Sequence, residues 1–347
     1  MTEEMSKESP PPPPTSFSSL PDDVALDCRA RISRFHYPTL SLVSKGFRTL
    51  IASPELEATR SFIGKPENHL CVCLRLYKNP NPLWFIFSPI PKQKLKPIVP
   101  WFPNQQYPQY PTVVSNGSQI YIIGGFVRRR RSNRVSIFDY RTYQWRRLPK
   151  MRQPRVYPAA SVIDGKIYVI GGFRGSMPTD IENSGEVYDP KTNTWEPILL
   201  TSLDLTVQNV FKKKHYFTTK ACLVINKVSC LLYVSDGKLY WREDKEGFEC
   251  RKVYGLAEQS SNLFRVVANS GGGGRVTVWW KSMTKGCEFG CLLTEECETK
   301  IWCAEISLER RGLRELRGFV EWSKEVFTID RCDYIYDFIS QYVTVTY

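Results

Sequence analysis

The sequence predicts an α+β multidomain chain: a short helical segment first, then an all-β array of small antiparallel sheets. Three observations predict it. Tyr110-Pro111 returns as Tyr157-Pro158 and Gly124-Gly125 as Gly171-Gly172, each 47 residues on. Phe138-Asp139 then matches Tyr188-Asp189 and Trp145 matches Trp195, each 50 residues on. A repeat of this length is one unit of an array, because a lone unit cannot bury its own apolar faces. The second observation is a change of hydrophobic period, from helical to alternating, at about residue 67. The third is composition: 9 Trp, 18 Tyr and 18 Phe with 21 Gly and 24 Pro, which suits many short strands and tight turns.

Residues 1–16 are polar, acidic and proline-rich, with Pro10 to Pro14 consecutive. They read as a disordered tail and spacer, or as a ligand for a proline-recognition module. No apolar leader core is visible there. The longest near-continuous apolar run, Leu83 to Phe87, is far shorter than a membrane span. The expectation is a soluble protein of the cytoplasm, the nucleus or both. Eleven cysteines, an odd number, favour reduced, buried thiols over a disulfide framework.

Residues 17–63 read as three compact helices. Pro21 opens the first, with Asp22 and Asp23 where the helix dipole favours acids. Val24, Cys28 and Ile32 follow as one apolar stripe. Pro38 opens the second, with Leu40, Val43, Phe47, Leu50 and Ile51 at three- and four-residue steps. Ser53-Pro54 caps and opens the third, and Gly64-Lys65-Pro66 ends it.

From residue 67 the strand candidates include Leu70 to Leu76, Ile120 to Ile123, Lys166 to Ile170 and Val276 to Trp280. Asn116-Gly117, Asp164-Gly165, Asp236-Gly237 and Gly271 to Gly274 mark turns between them. In Ile120 to Gly125 and Ile167 to Gly172 a buried strand runs into two glycines. Glycine there permits positive φ and close backbone approach near the axis of a propeller. Asp139 and Asp189 stand where a side chain bonds its own turn. Trp145 and Trp195 suit the gap between adjacent blades.

The net charge of +13 is concentrated. Residues 128–155 hold eleven Arg and Lys, Arg128 to Arg131 among them, against one acid, Asp139. This stretch reads either as solvated loops of one blade or as a surface for an acidic partner. No RNP, KH or helix-turn-helix signature is present, so no nucleic-acid partner is expected.

The repeat (apolar strand, Gly-Gly, aromatic-Asp, then Trp) resembles the kelch repeat. Two copies are clear, at about 107–153 and 154–200. Leu70 to Pro89 with Trp84, and residues 222–256 with Leu232-Tyr233 and Tyr240-Trp241, look like degenerate blades. Residues 66–347 hold six lengths of 47, so the expectation is a kelch-type propeller over 67–347 with about six blades, several degenerate. Leu20-Pro21-Asp22-Asp23, Ile32-Ser33-Arg34 and the run Tyr37 to Arg48, followed by Ser53-Pro54-Glu55-Leu56, resemble an F-box. Thr299 to Arg311 looks like the last-blade sequence of plant F-box/kelch-repeat proteins. The whole chain after residue 17 therefore resembles that family. It departs at Ala25 and Arg29, where leucines are common.

The resemblance implies a non-catalytic substrate-recognition subunit of an SCF-type (cullin-RING) E3 ubiquitin ligase. The F-box would bind the Skp-type adaptor and the propeller an unknown target protein. The adaptor candidates are Leu20, Pro21, Val24, Ile32, Val43, Ser44 and Phe47; Val24, Ile32 and Phe47 read equally as core of the helical unit. The substrate candidates are Arg128, Arg129, Arg130 and Arg131. The other reading is a non-ligase kelch interaction scaffold that binds an acidic partner. No cofactor or metal is expected. His36, His69 and His215 stand at no zinc spacing, and Cys287, Cys291, Cys297 and Cys303 contain no CxxC pair. Cys287, Phe289, Cys291 and Leu293 alternate like one strand face. Gly271 to Gly274 lacks the Lys-Ser/Thr of a phosphate loop.

Overall fold

The computed structural model describes residues 20–33, 36–51, 53–64, 67–77, 79, 81–87, 93–98, 107–172, 184–199, 220–226, 228–243, 250–256, 264–269, 274–283, 298–312, 314–331, 333 and 338–346. The proline-rich tail, His215, Gly271 to Gly273 and the Cys287 to Leu293 alternation lie outside these. The chain divides into two compact units, Met1–Glu67 and Asn68–Tyr347.

The first unit holds α1 (Asp22–Ala30), a single turn α2 (Tyr37–Leu40), α3 (Lys45–Ile51) and α4 (Pro54–Ile63). The second helix read from the sequence is therefore in two pieces, α2 and α3. The Ser44 hydroxyl accepts the Phe47 N–H at 3.1 Å, a side-chain cap that starts a new helix and breaks the run after Leu40. Ser53 caps α4 by accepting from Leu56 N–H at 3.3 Å, and Gly64 closes it at φ 65°.

Ala30, Tyr37 and Leu56 form the helical core, with Leu26, Ile32, Leu40, Ile51 and Ile63 packed on it. Of the stripe predicted for α1, only Ile32, just past the end of the helix, packs on the core. Ala25 and Ala30 are buried, whereas Val24 and Cys28 are exposed. Two alanines permit close approach of α4, which packs on α1. Arg60 of α4 is buried and ties the unit together. It donates to the carbonyls of Ala30 (2.7 Å) and Ile32 (2.8 Å) and to the Tyr37 hydroxyl (3.1 Å). It also pairs with Glu67.

The second unit holds five four-stranded antiparallel sheets among the described residues. Sheet one joins β22 (Ile339–Thr346) to β1 (Asn68–Leu74), β2 (Leu83–Phe87) and β3 (Leu95–Pro97). Sheet two is β4 (Thr112–Asn116), β5 (Gln119–Ile123), β8 (Val135–Asp139) and β9 (Gln144–Arg147). A small hairpin, β6 (Phe126–Val127) with β7 (Arg130–Arg131), rises between β5 and β8. Sheet three is β10 (Ala159–Ile163), β11 (Lys166–Ile170), β12 (Ser184–Asp189) and β13 (Thr194–Leu199). Sheet four is β14 (Lys220–Ile225), β15 (Val228–Ser235), β16 (Lys238–Glu243) and β17 (Arg251–Lys252). Sheet five is β18 (Val266–Asn269), β19 (Arg275–Met283), β20 (Thr299–Arg311) and β21 (Glu315–Ile329).

The first strands of the sheets adjoin one another: β22 beside β4, β4 beside β10, β14 beside β18, β18 beside β22. They line the centre, and the sheets radiate outward as a propeller. The cores lie between neighbouring sheets. Tyr121, Ile123 and Ile137 of sheet two meet Ile167, Val169 and Tyr188 of sheet three. Sheet four meets sheet five around Trp241, and sheet five meets sheet one around Trp279. β22 closes the ring by pairing with β1 from Asn68↔Thr346 to Leu74↔Ile339.

The blade count is five, not six, because the unit length is not constant. Thr112 to Ala159 spans 47 residues, but Ala159 to Lys220 spans 61 and Val266 to Ile339 spans 73. Much of that last span is β20 and β21, of 13 and 15 residues. Division by the clear repeat therefore overcounts.

The turn aspartates, Trp195 and Gly124 act as read, whereas the Trp145 ring lies against Phe138 of its own sheet. Asp139 and Asp189 accept from the N–H of Arg141 (2.9 Å) and Lys191 (2.8 Å), two residues on. Trp195 donates to the Pro149 carbonyl at 2.9 Å, across from sheet three to the strand exit of sheet two. Gly124 has φ +67°, and a Cβ there would stand 2.4 Å from the Arg155 carbonyl oxygen, so only glycine fits. Cys71, Cys73, Cys230 and Cys303 are buried free thiols. Burial pushes Cys73 up to about 12, which leaves no thiolate for chemistry.

Candidate functional site

Two surfaces carry residues that the sequence singles out, one on each unit. On the helical unit Pro21, Val24, Val43 and Ser44 are exposed, and Leu20 and Phe47 are half-buried. The Arg29 guanidinium lies over the Phe47 ring, 4.5 Å from its centroid. Ile32 is half-buried against the helical core, so it belongs to packing within the unit. Sequence reasoning misses two exposed apolar side chains, Leu42 at 78% and Phe62 at 92% exposure. Leu42 sits next to Val43 in the turn between α2 and α3, and that adjacency is the signal that could have found it.

On the propeller, antiparallel order decides which loops share an end. β4 and β8 run one way, β5 and β9 the other. The β5–β8 connection, with its β6–β7 hairpin, therefore lies at the same end as the chain entering β4 and the chain from β9 to β10. Hydrogen bonds join these segments. Gln109 and Phe126 exchange both backbone bonds, at 2.8 and 2.7 Å. Tyr157 N–H donates to the Tyr110 carbonyl at 3.2 Å, and Gly125 N–H to the Arg155 carbonyl at 2.8 Å.

The hairpin tip is Arg128-Arg129, both left-handed at φ 51° and 62°, with Val127 paired to Arg130. This is a two-residue turn whose geometry suits Asn-Gly or Asp-Gly. The chain uses Asp-Gly in the same setting at Asp164-Gly165 and at Asp236-Gly237, again with both residues left-handed. Two arginines in that conformation cost about 1–2 kcal/mol each. Arg128, Arg129, Arg130, Arg131, Arg134, Lys150 and Arg152 are all exposed around this end.

Arg155 is the exception in the basic stretch. It is fully buried, its guanidinium within 3.0 Å of Glu186 and donating to the Gly171 carbonyl at 2.7 Å. Glu186 also accepts from the backbone N–H of Arg152 and of Gln153. Burial lowers the Arg155 guanidinium from its ordinary value, opposed by the bond and charge of Glu186. Arg155 is thus a structural staple and no part of the basic surface. Arg141 sits in the β8–β9 turn, at the other end of the sheet, and Arg146 and Arg147 lie on the outer strand β9.

Beside the arginine hairpin stand Tyr110 and Tyr157, 42% and 46% exposed. Their rings stack with centroids 4.8 Å apart, and both backbones are left-handed, at φ 56° and 52°. They are the first matched pair of the repeat, which signals equivalence but not exposure. Of the histidines, His69 is buried and within 3.3 Å of the Tyr140 hydroxyl, and His36 stands at the start of α2.

The chain is thus a helical unit with exposed apolar corners followed by a five-bladed propeller with a basic, aromatic end. The F-box domain model matches residues 17–59, and the model of the FKB95 kelch-repeats domain matches 84–221. An F-box/kelch-repeat protein of Arabidopsis thaliana is 53% identical over 338 residues, covering 92% of this chain and 88% of its own. A second from that plant is 52% identical, covering 95% and 93%. The chain belongs to the F-box/kelch-repeat family. Among solved structures, a fungal alcohol oxidase in complex with copper aligns with 74% of this chain and 52% of its own. Its 18% identity and TM-score of 0.28 are too low to bear on fold or chemistry.

Proposed function

We propose that this chain is the substrate-recognition subunit of an SCF-type cullin-RING ubiquitin ligase. The F-box unit docks on the Skp-type adaptor and the propeller holds a target protein. One observation carries the reading: the F-box unit keeps its own core of Ala30, Tyr37 and Leu56 while leaving Val24, Leu42 and Val43 outside it. We read these apolar side chains, left outside the core, as the adaptor-facing surface. In this reading the chain performs no chemistry. It brings the target to the ubiquitin-transfer machinery and so raises the local concentration of its lysines.

The adaptor contact is tested by pull-down and by titration calorimetry. Leu20→Ala with Pro21→Ala is expected to weaken adaptor binding by about 2–4 kcal/mol, the loss of two anchor contacts, with propeller melting unchanged. Wild-type affinity in that variant contradicts the docking assignment. The second reading, a non-ligase scaffold that anchors an acidic partner, draws on the arginine hairpin. It predicts that partner levels stay constant when the protein is removed, whereas the ligase reading predicts that they rise.

A further inference from the structure

We propose that Tyr110, Tyr157 and the hairpin Phe126 to Arg131 form one docking site that takes an acidic segment of the target protein. The inference rests on the propeller carrying the target, and it names where and by what chemistry. Backbone conformation gathers here: four left-handed residues that are neither Gly, Asp nor Asn meet at this end, whereas Gln93 and Tyr143 stand singly elsewhere. Ten non-glycine residues among those described have left-handed backbone. Five of the other six lie in turns, four of them as Asp or Asn, which tolerate the conformation. The four here are two arginines and two tyrosines, side chains with no such local compensation. Strain kept on a surface where Asp-Gly serves elsewhere in the same chain points to a use for the side chains themselves.

The use follows from charge. Seven exposed cations surround this end, and among the described residues the acid that reaches it, Glu186, is buried and held by Arg155. The guanidinium groups of Arg128, Arg129 and Arg130 have no hydrogen-bond or ion-pair partner among the described residues. Guanidinium groups take carboxylates through two parallel bonds. The tyrosine pair supplies an apolar platform with hydroxyl edges, the residue type that anchors protein interfaces. A nucleic-acid strand fits less well. The two rings stack on each other, so the faces that successive bases would use are already partly covered.

The test titrates the purified full chain against a short fluorescein-labelled Asp/Glu-rich peptide carrying one tryptophan, at low and high salt, with polyuridine as competitor. Arg128→Asn with Arg129→Gly keeps the turn and removes two charges. That variant is expected to bind the peptide at least about tenfold more weakly while melting at a higher temperature than wild type. Arg128→Lys with Arg129→Lys keeps both charges but not the paired bonds, so it is expected to bind between the Asn/Gly variant and wild type and to keep the salt dependence. Tyr110→Asn with Tyr157→Asn is expected to lose most of it. Unchanged peptide binding in the Asn/Gly variant, or polyuridine binding more tightly than the peptide, overturns the proposal. Adaptor capture is measured on the same preparations. Lost adaptor capture by wild type with intact peptide binding overturns the ligase reading and leaves this site standing; lost peptide binding with intact adaptor capture does the reverse.

Discussion

Glu186→Ala is expected to destabilise the propeller by about 3–5 kcal/mol, lowering its melting temperature by on the order of 10 °C. The variant leaves the Arg155 guanidinium charged at zero exposure with no carboxylate, and strips the acceptor from the N–H groups of Arg152 and Gln153. Each orphaned donor adds to the loss. Glu186→Gln keeps the shape and an acceptor oxygen, so it is expected to fall between Glu186→Ala and wild type. Arg155→Met combined with Glu186→Leu is expected to be milder than Glu186→Ala alone, since no buried charge is left unpaired. Calorimetric melting of the four proteins gives the ranking. Glu186→Ala melting within about 2 °C of wild type contradicts the staple.

Deleting residues 339–347 is expected to abolish cooperative folding of the propeller. β22 covers the edge of β1 along its whole length, where Cys71, Val72, Cys73 and Leu74 are fully buried. It also reaches the next sheet, through Ser115 Oγ to the Thr344 carbonyl at 2.6 Å and Gln341 Nε2 to the Pro111 carbonyl at 3.2 Å. Losing the burial that Ile339, Val343 and Val345 contribute forfeits about 5–9 kcal/mol. That is comparable to the whole stability of a folded unit. The truncated chain is expected to bind hydrophobic dyes, to lose near-ultraviolet circular dichroism and to regain it when a peptide spanning 338–347 is supplied. A cooperative melt within about 5 °C of the full chain contradicts ring closure by β22.

The propeller is legible in the sequence because its repeat elements are local. The Gly-Gly pairs, the aspartate turns and the tryptophans each sit at a fixed place in their own strand or turn, even where, as with Trp195, the partner is on the neighbouring sheet. The blade count is less legible. A count made from one clear period fails when β20 and β21 lengthen. The break after Leu40 rests on one serine hydroxyl, which reads as an ordinary helix residue until its bond to Phe47 is seen. The Arg155–Glu186 pair is illegible for another reason. Arg155 sits in a run of exposed cations, and Glu186 is 31 residues away on β12. Only the meeting of β12 with the β9–β10 connection makes them partners. The exposed faces are the least legible, since periodicity finds an apolar residue such as Val24 without saying whether the core or a partner covers it.

The most direct test of the account purifies wild type and the Leu20→Ala, Pro21→Ala variant from cells with the proteasome blocked and compares the ubiquitin carried by the proteins each retains. The account predicts that both retain the same proteins through the propeller, and that only those held by wild type carry ubiquitin chains. An equal ubiquitin load on the two preparations contradicts it.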